Sequence, residues 1–541
     1  MTHEVVAGPV RPPDGPTGST GQADRQPDHR RLRPPRIPFG VGTYLLVQAV
    51  LLFWWAARYP GLFSPDSLDH VWQATSGNWN THHPVAYTGL VWLSIQLTGG
   101  VGALTLAQCC GLAAALTYAV TGLRRLGGPA WGWTTAAVVV VVLPPVGTFA
   151  VCVWKDVPFV ICHVFLLGTL ARLVDRRRAG AGTPLPGALL GALLAGLTLV
   201  CLFRQNGFLV ALIVTGLVAV LVRGTALRVL LAGVLAATIA LLANWTLLPA
   251  LGVRDSGSVV AYESFLGDLA VGYDAAPQDF PAADTALMAT VAPLAHWRGS
   301  ANCYTVDPTV YDPDFDRQAA AAHRDELLSA WWRLVRRAPV TVLEARLCRA
   351  SVAWRPTPAG MLSGNPTAWA LPIYLERDPR FHTAEVRAVA FTQPVSERAS
   401  RLADSLSNRI AGPEWLLWRG ATWAWLAYLV VGLLAWQRRE RAVLVLAGLS
   451  LGNQLSVLLV NNAQAARYMT APVVLGILLL PLLAAGPPRP RSALADPRRD
   501  TGPEPTSPPL QVSNVTITPA SAADPPPDDW FWSPDRFGPG R

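Results

Sequence analysis

Apolar residues in this chain are gathered into blocks, and short polar or arginine-rich stretches separate the blocks. Each block is about 17–25 residues long, which is the length of α-helix that crosses the hydrocarbon core of a bilayer. The pattern therefore predicts an all-α polytopic membrane protein with about ten transmembrane helices. The predicted spans are residues 38–57, 102–121, 129–146, 157–173, 185–203, 206–222, 227–250, 416–436, 442–460 and 467–486.

Composition agrees with a membrane protein and argues against a soluble enzyme. The 541 residues are 51% hydrophobic and only 15% charged, whereas soluble domains carry more charge. The formal net charge of +9 would suit nucleic acid, but the arginines separate the predicted spans and do not gather in one basic region. We therefore expect the lipid bilayer as a partner and no nucleic acid.

The arginines also set the orientation, because cytoplasmic loops are enriched in basic residues. The tail before the first span carries six arginines and is predicted to stay in the cytoplasm. The apolar stretch 85–97 is short, and we interpret it as an interfacial or re-entrant helix. All later arginine clusters then face the cytoplasm, at Arg124/Arg125, Arg176–Arg178, Arg223/Arg228 and Arg438/Arg439/Arg441. Scarce lysine beside abundant Ala, Gly, Pro and Arg indicates a high-GC bacterium, so we expect a bacterial plasma membrane and two cytoplasmic termini.

This topology divides the chain into five regions. They are a disordered tail (1–37), an N-terminal transmembrane core (38–251), a large extracytoplasmic loop (252–415), C-terminal transmembrane helices (416–486) and a disordered Pro-rich tail (487–541). In the loop, "DELLSAWWRLVRRAPVTVLEARLCRASVAW" predicts one or two helices near the membrane surface. Cys303 and Cys348 share this loop, where they either form a disulfide or are small buried apolar residues.

Polar residues interrupt the apolar pattern at the extracytoplasmic ends of the spans. The interruptions are "FSPDSLDHVW" with "NWNTHHP", then "WKD", "FRQNG" and "NNAQAARY". Asp66 and Asp69 are three residues apart and would share one helical face. Ser64 could cap that helix, with Asp66 complementing its dipole. Capping does not explain Asp69 or the nearby His82 and His83, which suit a general base or a metal site.

Lys155 is the only lysine in the chain, and it stands beside Asp156 between two apolar runs. Asp156 could cap the next span while Lys155 reaches the headgroups. Alternatively, the two neutralise each other at the rim of a cavity, with the ammonium facing an anionic ligand. The same choice between an ordinary turn and a binding site applies to two further groups, which are Arg204 with Gln205 and Asn206, and Arg467 with Asn461, Asn462 and Gln464.

Carboxylates and cations on one side of a membrane suggest a particular chemistry. A carboxylate can take a proton from a hydroxyl group, and cations can hold a phosphate and stabilise its charge as it leaves. A sugar linked to a polyprenyl phosphate has both the phosphate and a lipid tail. Outside the cytoplasm there is no supply of nucleotide sugars, so sugar transfer there needs such a lipid-linked donor.

At these residues the chain resembles the GT-C superfamily of integral-membrane glycosyltransferases, over residues 38–486. The motifs are "PDSLDH" with "HHP", "WKD", "RQNG", "AWWRLVRRAPVTVLEARLCRASVAWRP" and "ARYMTAP". The resemblance implies transfer from a polyprenyl-phosphate sugar to a cell-envelope glycan, lipid or protein. It implies that Asp66 is the catalytic base or a metal ligand, that Asp156 is a second acid, and that Lys155, Arg204 and Arg467 bind the lipid phosphate.

The resemblance leaves the leading acid and the metal open. The spacing D-x-x-D differs from the D-x-D of many members, so Asp69 competes with Asp66. A divalent cation is not required, because some members use none; its candidate ligands are Asp66, Asp69 and His83. The remaining expected substrate-binding residues are His82, His83, Gln205, Asn206 and Asn462.

Two other classes of function compete with a glycosyltransferase. A multi-pass transporter or lipid flippase would explain the many spans, although such proteins often show repeated halves and polar residues near the bilayer midplane. A non-catalytic envelope scaffold would explain the Pro-rich tail. A cluster of polar side chains at one end of the spans would favour the enzyme.

Overall fold

The computed structural model describes residues 38–178, 185–222, 224–256, 262–391, 393–410 and 412–486, together with Gly8 and Val259. Both tails that the sequence predicts to be disordered lie outside these residues, apart from Gly8, and so does Arg223. Throughout the described ranges, the regular elements are helices, with isolated β-bridges between them. The predicted class, an all-α polytopic membrane protein, is confirmed.

Helices α1–α11 form the N-terminal part. They are α1 Phe39–Ala57, α2 Pro65–Ser76, α3 Val85–Thr98, α4 Gly102–Leu123, α5 Ala130–Val142, α6 Pro144–Ala150, α7 Asp156–Arg178, α8 Gly187–Phe203, α9 Gly207–Leu221, α10 Ala226–Leu242 and α11 Leu248–Ala250. The large loop contains α12 Glu263–Ala275, α13 Ala282–Val291, α14 Leu294–Gly299, α15 Asp307–Val310, α16 Arg317–Ala322, α17 Arg324–Arg337, α18 Pro339–Arg349, α19 Ser351–Trp354, α20 Leu371–Arg377, α21 Ala384–Ala390, α22 Glu397–Ile410 and α23 Glu414–Leu417.

The C-terminal part contains α24 Gly420–Arg438, α25 Gly448–Val460 and α26 Thr470–Leu479. Short 3₁₀ segments connect or extend helices at Arg124–Leu126, Pro277–Asp279, Ala368–Ala370, Pro379–His382, Arg441–Ala447, Ala466–Met469 and Leu480–Ala484, and a π-turn lies at Ala243–Leu247.

Seven helical stretches among the described residues are long and apolar enough to cross a membrane. They are Phe39–Ala57, Gly102–Leu126, Asp156–Arg178, Ala226–Ala250, Gly420–Arg438, Arg441–Val460 and Ala466–Ala484. The other three predicted spans also fold as apolar helices. Two of them, α8 and α9, have only 17 and 15 residues, so helix length alone does not fix the number of spans.

The predicted span 129–146 is not one straight helix. It is broken into α5 and α6, whose axes differ by 71°. Leu143 precedes a proline and takes the extended conformation that such residues favour, and Pro144 then opens α6. The apolar stretch predicted as a short interfacial or re-entrant helix is α3, which has 14 residues.

Helices α9 and α25 approach closely because α25 presents small residues at every fourth position. A Cβ added to Gly452 would lie 2.8 Å from the Cα of Val210, and one added to Gly448 would lie 2.9 Å from Leu217. Residues four apart share a face, and small residues let helix backbones come together. Ser456 continues this face and accepts a hydrogen bond from Asn206 Nδ2 at 3.0 Å.

The large loop contributes residues to three hydrophobic cores. Its first half, up to Val342, has a core of its own that includes Leu269, Met288 and Trp297. The second half joins the core of the helix bundle, through residues such as Phe381 and Val386. We call residues 262–354 the loop domain. Its last helix, α19, packs in the third core, where Val352 and Ala353 lie with Val457 and Met469. The stretch predicted to hold one or two helices contains three, α17 to α19.

Two internal links hold the loop domain together. Cys303 and Cys348 form a disulfide with 5.6 Å between their Cα atoms. Next to it, the fully buried guanidinium of Arg349 donates to Asp268 Oδ1 at 3.0 Å, and Arg346 donates to Asp268 Oδ2 at 2.6 Å. Of the two sequence alternatives for this cysteine pair, the disulfide is the one that forms.

Isolated β-bridges tie the connecting segments together at one end of the bundle. They pair Leu62 with Cys152, Asn80 with Arg254, Thr305 with Ala463, and Ser363 with Ala465. These bridges place the polar motifs of the sequence next to one another and next to the loop domain. We call this end of the bundle the loop face.

Candidate functional site

Asp66 is placed by a capped helix that is tied to the segment before α7. Ser64 caps α2 in a reciprocal arrangement with Ser67, and Pro65 takes the first helical position. The predicted cap is therefore confirmed. The Trp154 indole donates to Ser64 Oγ at 2.7 Å, and the bridge at Leu62 joins the same two segments. Asp66 consequently lies beside the residue that follows Trp154.

That residue is Lys155, and it shares the Asp66 carboxylate with Arg467. Lys155 Nζ is 3.2 Å from Asp66 Oδ2, and the Arg467 guanidinium donates to the same oxygen at 2.9 Å. The Asp66 side chain is 25% exposed, whereas both cations are more buried. The Arg467 guanidinium also lies over the Trp154 ring, 4.7 Å from its centroid. Three of the predicted site residues therefore form one ion cluster.

The charges around Asp66 decide its ionisation. Enclosure by the protein would by itself raise the pKa of the Asp66 carboxyl. The positive charges of Arg467 and Lys155 outweigh that effect and hold the pKa well below its ordinary value. Asp66 is therefore ionised at neutral pH while both cations remain in contact with it.

A second ion pair lies beside the first. The Arg204 guanidinium donates to Asp156 Oδ1 at 2.6 Å, and the Asp156 side chain is 1% exposed. Its other oxygen accepts no hydrogen bond from any described residue. The Tyr468 ring lies between the two pairs, with its centroid 4.8 Å from the Arg204 guanidinium and 5.2 Å from that of Arg467. An aromatic ring can attract both cations.

The expected pairing of Lys155 with Asp156 is wrong. Lys155 contacts Asp66, whereas Asp156 contacts Arg204. Consecutive residues at the start of a helix point in different directions, so they rarely face each other. Each member of the pair instead finds a partner that is distant in sequence.

His83 lies between Lys155 and Asp69. Its Nδ1 lies 3.1 Å from Lys155 Nζ, and its Nε2 lies 3.9 Å from Asp69 Oδ2. Burial, with the charge of Lys155, lowers the pKa of His83 well below its usual value, so the ring is neutral. Nδ1 then accepts from the ammonium, and the ring proton on Nε2 points toward Asp69. The His82 ring packs edge-on against His83, with 4.5 Å between centroids.

Asp69 contacts a cation that the sequence did not reveal, and it shares this cation with Asp378. Arg380 donates to Asp69 Oδ1 at 3.0 Å, and Gln73 donates to Oδ2 at 2.7 Å. Arg380 belongs to the second half of the large loop. Many arginines lie in that loop, and no pattern in the sequence distinguishes this one.

The possible metal-ligand atoms near Asp69 are poorly suited to a divalent cation. Asp69, His82 and His83 offer ligand atoms within 4.8 Å of one another. However, both Asp69 oxygens already accept hydrogen bonds, and His83 Nδ1 faces an ammonium. A divalent cation would meet the charges of Arg380 and Lys155 at close range. We therefore derive no step through a metal ion.

The other predicted residues lie around this centre. Asn206 contacts Ser456 across the close α9–α25 interface, and Asn462 donates to Glu263 Oε2 at 3.0 Å. Gln205 is exposed in the turn between α8 and α9. The loop face thus brings together eight of the predicted residues, with Gln205, Asn206 and Asn462 at its edge. The eight are Asp66, Asp69, His82, His83, Lys155, Asp156, Arg204 and Arg467.

Glu263 is a second acid that sequence reasoning missed. It is the first residue of α12, and its side chain is 2% exposed. The Tyr311 hydroxyl donates to its Oε1 at 2.9 Å. Burial raises the pKa of the Glu263 carboxyl to about 7, although the hydrogen bond from Tyr311 opposes this. One glutamate in a charged loop gives no signal in the sequence.

Comparison with protein-family models, curated proteins and solved structures finds no match for this chain. The likeness to the GT-C superfamily therefore rests on the motifs, and the geometry of the loop face must support any function by itself.

Proposed function

We propose that this protein is a membrane-embedded glycosyltransferase. It moves a sugar from a polyprenyl-phosphate donor to an extracytoplasmic cell-envelope acceptor, which is a glycan, a lipid or a protein. One observation carries the proposal: a single carboxylate oxygen of Asp66 is shared by Lys155 and Arg467 in a partly open cluster. In the proposed mechanism, the carboxylate is the proton acceptor and the two cations bind the donor phosphate.

The proposed topology has about ten spans, with both termini in the cytoplasm of a bacterium and the loop face outside. The disulfide between Cys303 and Cys348 supports this orientation, because such bonds persist in oxidising compartments. The arginine clusters of the sequence then fall on the cytoplasmic side. The donor's lipid tail would remain in the bilayer while its phosphate reaches the loop face.

The proposed reaction begins with an exchange of partners. The donor phosphate takes the hydrogen bonds of Lys155 and Arg467, which releases Asp66. Without those two charges, the pKa of the Asp66 carboxyl rises and the carboxylate becomes a stronger base. Binding of the donor thereby prepares the base for the acceptor.

Transfer then follows with a balanced movement of atoms. Asp66 accepts the hydroxyl proton of the acceptor, and the acceptor oxygen forms a bond to the anomeric carbon. The bond from that carbon to the phosphate oxygen breaks, and polyprenyl phosphate leaves with the electron pair. Lys155 and Arg467 stabilise the charge that develops on the leaving phosphate. Asp69 is the alternative base, because His83 lies between it and Lys155.

Arg204 is proposed as a third phosphate ligand or as a support for the first two. Asp156 holds its guanidinium, and Tyr468 separates it from Arg467. Asp156 itself is almost fully buried. We therefore assign Asp156 to positioning Arg204, while the released Asp66 contacts the acceptor.

Transfer of radiolabelled sugar in proteoliposomes tests the proposal. A panel of polyprenyl-phosphate sugars would be offered to wild type, Asp66→Asn, Lys155→Ala and the control Asp279→Asn, which changes an exposed aspartate of the loop domain. We expect transfer to be lost in Asp66→Asn, the donor KM to rise in Lys155→Ala, and the control to match wild type. Full transfer by a folded Asp66→Asn/Asp69→Asn double variant would refute the mechanism. Donor movement across the bilayer without transfer would favour a flippase.

A further inference from the structure

An open groove runs between α1 and α4 at the end of the bundle opposite the loop face. Its walls include Gly40, Val41, Tyr44, Ala114, Thr117 and Thr121. We propose that this groove binds an anionic phospholipid, with one acyl chain in the groove and the headgroup phosphate against Arg124. The site is separate from the proposed glycosyltransferase centre, and its occupant is a lipid of the bilayer and not a substrate.

The direction of the two helices places the groove far from the loop face. The indole of Trp55, near the end of α1, donates to the carbonyl of Gly102, the first residue of α4, at 3.0 Å. The chain continues from that end of α1 to Leu62, which forms one of the bridges of the loop face. Gly40 and Thr121 lie at the other ends of the same two helices. The intervening part of α1 is roughly 25 Å long.

The walls of the groove come from one face of each helix. Ala114, Thr117 and Thr121 follow a spacing of three and four, which puts them on one side of α4. A Cβ added to Gly40 would already contact Thr121 Cγ2 at 3.6 Å, so a larger residue there would narrow the groove. The Val41 side chain is 49% exposed, and the groove therefore opens toward lipid.

The size of the groove favours an acyl chain over a protein helix. Its volume is about 430 Å³. An α-helix about 10 Å across and about ten residues long fills about 1,200 Å³, so a helix from a second copy of the chain would not fit. An extended hydrocarbon chain is thinner, and it has no polar backbone groups that need partners among the apolar walls.

Arginine side chains gather at the end of the groove beside Gly40. The Arg124 guanidinium lies over the ring of the preceding residue, Phe39, 4.5 Å from its centroid. Arg124 is exposed, and among the described residues no carboxylate forms an ion pair with it. The next residue, Arg125, is 3.7 Å from Asp175. The charge of Arg124 can therefore be given to a phosphate.

A third arginine reaches the groove from α7. The Arg172 guanidinium donates to the Tyr118 carbonyl at 2.8 Å and to Thr121 Oγ1 at 2.9 Å, and it lies 3.6 Å from the centroid of the Tyr118 ring. Gly122 permits this path, because a Cβ there would lie 2.5 Å from Arg172 Nη1. Three arginines therefore accompany one aspartate at this end, and the excess of positive charge complements an anionic headgroup.

Basic pockets between transmembrane helices suit the phosphates of anionic lipids. In the proposed orientation this end of the bundle faces the cytoplasm, so the lipid would come from the inner leaflet. The choice of leaflet rests on that orientation, whereas binding rests on the groove and its arginines alone. A lipid held here contacts α1 and α4 together and stabilises their packing.

Native mass spectrometry of the full-length protein in detergent tests the headgroup contact. Phosphatidylglycerol and phosphatidylcholine would be titrated in parallel, and the apparent Kd of the first bound lipid measured. We expect wild type to bind phosphatidylglycerol roughly fivefold more tightly, and Arg124→Gln to lose this preference. The control Arg441→Gln, at another exposed arginine, should match wild type. Equal affinities of wild type for the two lipids, or an unchanged preference in Arg124→Gln, would overturn the inference.

Filling the groove tests the position of the acyl chain. Ala114→Leu places a larger side chain on the groove wall and should weaken the binding of phosphatidylglycerol roughly fivefold or more. Ala107→Leu is the matched control, because Ala107 is exposed on α4 and does not line the groove. If Ala114→Leu does not fold, Val41→Trp fills the groove from α1 instead. Wild-type affinity in a folded groove-filling variant would contradict the proposed site.

Neither measurement uses a sugar donor, so the two proposals can fail separately. Selective binding of phosphatidylglycerol without transfer from any donor would reject the glycosyltransferase and support the lipid site. Transfer by a protein that binds both lipids equally would reject the lipid site alone.

Discussion

At the scale of single residues, Lys155 and Arg467 have two partners in the proposed cycle. In the resting protein both contact Asp66 and keep it ionised. In the proposed transfer, the same two cations hold the phosphate of the donor. Asp66 and the phosphate are therefore competitors for one pair of cations, which distinguishes Asp66 from an ordinary binding residue.

This competition predicts opposite effects of one substitution on binding and on transfer. Asp66→Asn removes the competing charge and should tighten the binding of polyprenyl phosphate roughly threefold or more. Transfer should fall by about 100-fold or more, because the base is gone. Binding can be followed by microscale thermophoresis in detergent, with Asp279→Asn as the control. Weaker binding by Asp66→Asn would show that Asp66 contributes to donor affinity.

Sequence reasoning found the residues that interrupt apolar runs and missed those that do not. Asp66, Lys155, Arg204 and Arg467 each stand out because a charge beside a membrane span is costly. Their partners were less predictable, since Lys155 pairs across 89 positions instead of with its neighbour. Arg380 and Glu263 lie in a loop where charged residues are common. Their contacts depend on how that loop folds back onto the bundle.

At the scale of helices, the close contact of α9 and α25 supports the loop face. Asn453, on the same helix as Gly452, donates to the Tyr468 carbonyl at 3.0 Å. Tyr468 is the ring between the two ion pairs. The position of α25 therefore affects the position of Tyr468 in the site, although α25 itself carries none of the site's charged residues.

A methyl group at Gly452 should disturb this contact. Its Cβ would lie 2.8 Å from the Val210 backbone, so Gly452→Ala should destabilise the protein by about 1–3 kcal/mol and lower transfer. Gly432→Ala is the matched control, because a Cβ at that position of α24 meets nothing within 4 Å. Thermal unfolding in detergent measures both. Equal Tm values for the two variants would refute the packing role of Gly452.

The apolar blocks predicted every long helix of the bundle, because burial in lipid imposes a clear pattern on the sequence. The prediction of one span at 129–146 was less accurate, because the chain bends there. Its two prolines, Pro144 and Pro145, bend the chain within an apolar run, and hydropathy does not register a bend. Close contacts such as that of Gly452 depend on which faces meet, and one sequence does not specify this.

At the scale of the whole molecule, the loop domain has a hydrophobic core of its own and supplies residues that lie near the site. Glu263 and Asp307 both lie within it, and its disulfide joins residues 45 positions apart. The sequence predicted one large loop but not its division among three cores. That division follows from packing among short helices whose individual patterns are weak.

Removal of the disulfide should loosen the loop domain. Cys303→Ser should lower its stability by about 2–5 kcal/mol, and Cys303→Ser/Cys348→Ser should lower it equally, because one bond is lost in both. Limited proteolysis under non-reducing conditions would report the change. Cys110→Ser, at a free cysteine, serves as the control. Identical digestion of all variants would mean that the core alone holds this domain.

The pairing of Asp66 with Arg467 spans 401 positions of the chain, and this has a consequence for biogenesis. The ribosome synthesises Asp66 and Lys155 long before Arg467, which completes the ion cluster. Until the last helices are inserted, the growing chain carries an incomplete ion cluster, and under the proposed mechanism it would be inactive. A prematurely terminated product would be inert as well as unstable, so translation to the end of the bundle acts as a checkpoint on activity.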